Sequence, residues 1–227
     1  MDPKTRQKLQ PLLEKLKQQS LSKPSTTREE LRPVVAELRE AGYDIDSIHD
    51  LYYSDVKLKV AIPILMKWLP EIRDRNAKDS IIRALSDRQA KGVVAPVLIE
   101  EFRKQALIEH LDNVAWAMGN ALSITADDKV FDEIVELVID KRFGRNREML
   151  TLALANMIKC KDAAVKVLLE LLHDEDVAGH AVMALGKLKI SEARAEIEKF
   201  LTHEKRWIRT EAKRALAKID KAAAKSK

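Results

Sequence analysis

Apolar and polar positions alternate along this chain with the period of an α-helix, and the pattern recurs. The pairs Ala84-Leu85, Ala121-Leu122, Ala153-Leu154, Ala184-Leu185 and Ala215-Leu216 mark five equivalent places, with leucines 37, 32, 31 and 31 residues apart. Four residues before each leucine stand Ile81, Met118, Leu150, Ala181 and Ala212; eight before stand Ala77, Val114, Asn146, Val177 and Ile208. Apart from Asn146, these columns trace one apolar stripe at helical spacing. The small residue beside each leucine lets a neighbouring helix come close. A second series lies between the first: Leu65, Leu98, Ile134, Leu168 and Ile197, followed four residues later by Leu69, Phe102, Val138, Leu172 and Leu201. Pro63 and Pro96 fall two residues before its first column, where a first helical turn needs no donor. Short polar links such as residues 173–176 and 202–205 join the two series. Each unit therefore reads as a helical hairpin of roughly 30 to 37 residues. One hairpin cannot bury its apolar face alone, so stacking is expected.

Val177-Ala178-Gly179-His180-Ala181-Val182-Met183-Ala184-Leu185-Gly186 resembles the HEAT-like repeat of the phycobilisome-lyase type, whose pattern runs V-R-x-x-A-x-x-A-L-G. Ile208-Arg209 through Ala215-Leu216 is similar to it again, with the arginine; Arg147 and Lys78 hold that basic column in two other units, while Ala115 and Ala178 depart from it. The resemblance spans about residues 60–221 and implies an all-α fold, an α-solenoid (superhelix) of about five HEAT-like helical hairpins. The expected organisation is a helical N-terminal cap over 1–58, the repeat array over 59–221 and a frayed basic tail over 222–227. Within the cap, helices are predicted over 4–19 and 26–42, the second stopped by Gly42 and bent or shortened at Pro33. A short helix is predicted from Asp46 to Tyr53.

Composition agrees with helix nearly throughout: 46% of residues are apolar, 34% charged, and only 6 are glycine and 7 proline. No apolar run is long enough to span a membrane, and the first ten residues lead into no apolar leader region. Cys160 is the single cysteine. It excludes an internal disulfide, suits a reducing cytoplasm, and reads as a buried structural thiol in an apolar helix. The net charge of +5 is local, because residues 203–227 carry nine lysines and arginines against three acids.

No catalytic set converges. The histidines show no HxxxH or HExxH spacing, and the His-Glu dipeptides of HEAT-repeat di-iron hydroxylases are broken here, as at Gly179-His180-Ala181 and Thr210-Glu211-Ala212. HEAT-like alkylpurine DNA glycosylases work with tryptophans and an aspartate, but Trp68, Trp116 (with Asp112 four residues before it) and Trp207 fall on different columns. No metal and no cofactor are expected. The expected activity is non-enzymatic: a scaffold holding a protein partner along a concave groove. The second-series helices are expected to line that groove with Lys67, Glu100, Arg103, Asp132, Glu136, Lys166, Glu170, His173 and Lys199. Because the middle of this ladder is acidic, a basic or mixed-charge protein segment is the expected partner. One alternative is nucleic-acid binding or DNA repair through Arg206, Arg209, Lys213 and Arg214; the other, implied by the resemblance alone, is a cofactor lyase or accessory protein.

Overall fold

The computed structural model describes residues 26–52, 57–105 and 113–225, so the helix expected over 4–19 lies outside the described residues. The described chain is helical, with no strand among the described residues. The α-helices are α1 (Thr26–Glu40), α2 (Ala61–Trp68), α3 (Arg75–Leu85), α4 (Ala95–Gln105), α5 (Asn113–Thr125), α6 (Phe131–Ile139), α7 (Glu148–Leu154), α8 (Lys161–Leu171), α9 (Ala178–Leu188), α10 (Arg194–Glu198) and α11 (Arg206–Lys225). Short 3-10 segments join several of them, including one over Ile48–Tyr52.

Local chemistry sets the boundaries. Asp74 caps α3 by accepting from the Ala77 amide at 2.9 Å, and Asp87, Asp127 and Asp140 each accept an amide two residues on, satisfying donors a helix start leaves orphaned. Gly42, at φ 95°, takes the left-handed conformation that ends α1. α1 runs on through Pro33, which sits on the exposed side, while buried Leu31, Val34 and Leu38 hold the helix on either side of it. The side chain of α1 residue Glu30 accepts from the amides of Arg73 and Asp74, and Thr26 and Thr27 donate to the Asp74 carboxylate. These bonds tie α1 to the start of α3. Residues 222–225 continue α11.

Consecutive helices pair as α2 with α3, α4 with α5, α6 with α7, α8 with α9, and α10 with α11. Across the pairs, α3, α5, α7, α9 and α11 each pack on the next, and α1 packs on α3 at the front of this row. Contacts within the other row (α2, α4, α6, α8, α10) are sparser. Leu85, Leu122, Leu154 and Leu185 are fully buried, as are Leu98, Ile134 and Leu168 of the second series. All belong to one apolar core running from Leu31 to Ile219.

The close row needs small residues where backbones meet. A Cβ built on Gly119 would stand 3.2 Å from Cβ of Met149, and one on Gly186 would stand 2.5 Å from Cβ and 2.7 Å from Cα of Ala215. The basic column has a structural part as well. Buried Lys78 donates to buried Glu101 of the next pair at 2.6 Å, and Arg147, wholly buried, reaches Asp174 and Asp176 in the following link. Arg209 instead donates to the carbonyls of His203 and Glu204 in its own link. The polar link at 173–176 is therefore a partner for Arg147 as well as a solvated turn.

Candidate partner-binding groove

The charged ladder falls on the sparser row. Lys67 of α2 donates to both carboxylate oxygens of Glu37, at 2.9 and 2.8 Å, and Glu37 also accepts from the Trp68 indole. On α4, Arg103 bonds Glu100 at 2.8 Å and reaches Glu136 of α6 at 3.1 Å, so these two carboxylates share one face and one cation. Asp132, Lys166 and Glu170 are exposed on α6 and α8. Lys199 is held by Glu196 at 2.7 Å and lines a cavity of about 230 Å³ with His173, Phe200 and His203.

A different cavity, of about 270 Å³, opens on the close-packed row. Side chains from four successive helices of that row line it: Ser123 of α5, Leu152 of α7, Met183 and Lys187 of α9, and Glu211 and Lys218 of α11, with Asn156 just past α7. No ladder residue lines it. Leu152 and Met183 are the half-buried apolar surface. Asn156 ties three helices together, its amide donating to the Ser123 carbonyl at 2.5 Å and its side-chain oxygen accepting from the Lys187 ammonium. Arg214 holds Glu211 at 2.5 Å. Burial lowers the pKa of Lys187, and the neighbouring Lys91 and Lys218 lower it further. Sequence reasoning missed these residues, although Leu152 and Met183 stand two before the aligned leucines and Asn156, Lys187 and Lys218 two after.

Of the cations expected for nucleic acid, Arg209 is spent on its own link and Arg214 on Glu211, while Arg206 and Lys213 are exposed. Cys160 does not lie within a helix: it precedes α8, half-buried, and its amide donates to Asp128. Burial, aided by Asp128, raises the thiol pKa and keeps it protonated. The tryptophans stand apart, with Trp68 against the core and Trp116 and Trp207 partly exposed; Asp112 lies outside the described residues. His173 and His180 do not converge on one site, since His173 is on the surface and His180 is packed in beside the Trp207 ring at 5.3 Å.

His180, on α9, has its Nδ1 buried and unpartnered. Burial lowers its pKa and Arg145 adds to this, against the opposing carboxylates of Glu148 and Glu211. The unfolded chain takes up this proton near the ordinary value of 6.5, before the folded chain does. Stability from this group is thus complete above that pH and falls as pH drops below it. Thermal melts between about pH 7.5 and 5.5 are expected to show a falling midpoint, and the fall is expected to shrink in His180→Gln; an equal fall in both would remove His180 from the account.

No described helix is long and apolar enough to cross a membrane. A comparison with curated proteins found no match. A family model described as HEAT repeats matches residues 165–227, which run from within α8 past the end of α11 and take in the groove's basic side. That match does not separate the phycobilisome-lyase type from other repeats of this kind. Residues 165–227 thus match HEAT repeats, and the helices they form continue the row of close-packed helices that runs through the rest of the described chain.

Proposed function

We propose that the five helix pairs stack as an α-solenoid whose concave side is the row α3, α5, α7, α9 and α11, and that the protein is a non-enzymatic scaffold holding a protein segment in the groove on that side. The observation that carries this reading is the cavity lined by four successive helices of one row. In a curved stack the inner arc is the shorter, so inner helices crowd; the seams at Gly119 and Gly186 have that crowding. The charged ladder then belongs to the outer side, and its acidic middle is partly offset by Arg103. HEAT repeats are commonly protein-interaction scaffolds, and the groove has the mixture such a site needs: an apolar floor with a few placed polar groups. Several of its polar groups are engaged in structural bonds: Ser123 donates to the Asn120 carbonyl, Lys187 to Asn156, and Glu211 is held by Arg214. None is poised as a nucleophile beside a base.

The test compares two variants in capture of partner from a cell extract, with helicity checked for each. Leu152→Asp with Met183→Asp is expected to weaken capture by about tenfold or more, the scale of one lost buried contact. Glu100→Lys with Glu136→Lys and Glu170→Lys is expected to leave it within about twofold, as for charges at a rim. The opposite pair of results would move the site to the ladder.

A further inference from the structure

We propose that the lysine-lined end of the groove is an anion site, and that it takes the acidic end of a protein segment whose apolar residues lie on Leu152 and Met183. This rests on the groove reading above. A second cavity, of about 320 Å³, is lined by Lys189, Lys218, Lys221, Ala222 and Lys225, and it shares Lys218 with the groove. The two cavities thus adjoin at Lys218, the first with Leu152 and Met183 in its lining and the second lined by four lysines and one alanine. No carboxylate lines the second cavity. Asp220, the acid nearest in sequence, is bonded to Arg194 at 2.8 Å on α10. Lys189 enters from the end of α9 in a left-handed conformation, φ 57° and ψ 49°, which costs a lysine more than a glycine. Like charges three and four residues apart on one helix repel, as Lys218, Lys221 and Lys225 do here, and a bound anion relieves that repulsion. The lowered proton affinity of Lys187 has the same origin in part, since Lys91 and Lys218 stand near it.

A protein segment fits this path better than a nucleic acid. A polynucleotide carries a phosphate at every step, so charge would fall on the Leu152 and Met183 floor and beside Glu211. Neither cavity has an aromatic ring on which bases could stack, nor an arginine to grip a phosphate in two-point fashion. An acidic peptide can confine its charge to one end.

The experiment uses the full chain and fluorescence anisotropy with three labelled probes: a peptide of two leucines followed by four glutamates, the same peptide with four glutamines, and an oligothymidylate of equal length. The glutamate peptide is expected to bind at least about tenfold more tightly than the glutamine peptide at low salt, with the difference shrinking at about 0.2 M salt. Lys218→Glu with Lys221→Glu is expected to abolish the difference, and Lys218→Gln with Lys221→Gln to reduce it; Met183→Asp is expected to weaken both peptides alike. Equal binding of the two peptides, still sensitive to Met183→Asp, would overturn the anion site and leave the groove standing. Peptide binding unaffected by Met183→Asp would overturn the groove reading and the anion site together. Tighter binding of the oligothymidylate, lost in the lysine variants, would assign the patch to nucleic acid and overturn the proposal.

Discussion

Arg147→Met is expected to lower the free energy of unfolding by about 3–5 kcal/mol, the cost of breaking a buried ion pair from one side. The Arg147 side chain is wholly inaccessible to solvent. It donates to the carbonyls of Gly144 at 2.8 Å and Val138 at 3.0 Å, to Asp174 at 2.8 and 3.3 Å, and to Asp176 at 3.3 Å. Burial by itself would raise the pKa of Asp174, but the Arg147 bonds and charge hold it below the ordinary carboxylate value. Removing the guanidinium strands that carboxylate and two carbonyls in a low-dielectric pocket. Arg147→Lys keeps the charge but not the fork, so most of the loss is expected to persist. Arg142→Ala is the control: its ion pair with Asp140 is on the surface, and the expected change is within about 1 kcal/mol. Urea unfolding of the three variants measures all of this, and a loss below about 1 kcal/mol for Arg147→Met would contradict the buried staple.

Gly186→Ala is expected to destabilise by about 1–3 kcal/mol, although glycine to alanine within a helix ordinarily stabilises by about 1 kcal/mol. The added Cβ would lie within 2.7 Å of both Cα and Cβ of Ala215, and backbone cannot turn aside as a long side chain can. α9 and α11 must therefore part. Ala215→Gly in the same chain removes one of the two clashing atoms and is expected to recover part of the loss, read as a coupling in a double-mutant cycle. Gly119→Ala should be gentler, because the 3.2 Å approach there is to the Met149 side chain. A rise in melting temperature for Gly186→Ala would mean that this seam is not closed as described.

The helix pairs were legible because burial has a period. Leu85, Leu122, Leu154 and Leu185 needed only their spacing and the small residue before each. Asn146 was the polar exception in that alignment, and the reason is local: residues 141–147 form a 3-10 stretch with Gly144 at φ 49°, so Asn146 is buried without being on α7. What the pattern does not state outright is which row packs more closely; the trace of that in the sequence is size, at Gly119, Gly186 and Ala215, rather than charge. Charge picks out the Lys67–Glu100–Glu136 ladder and gives no sign of the cavity at Leu152, Met183 and Lys187. The staples were half visible: Lys78 and Arg147 stood in the basic column, but their partners Glu101, Asp174 and Asp176 are set by packing between pairs, which no local pattern encodes.

The joints between helices of the close row are not alike. Asn156 bonds α7 to the Ser123 carbonyl on one side and Lys187 on the other, and Arg147 reaches forward to the link before α9. Between α9 and α11 the described contacts are of another kind: the close approach of Gly186 to Ala215, the His180 and Trp207 rings 5.3 Å apart, and the charge of Glu211 acting on His180. Directional bonds must break before a hydrogen-bonded joint can swing. The middle of the row is thus pinned by directional bonds and its last joint by close packing, so that in the groove proposed above an occupant would rest between one wall fixed by hydrogen bonds and one fixed by shape.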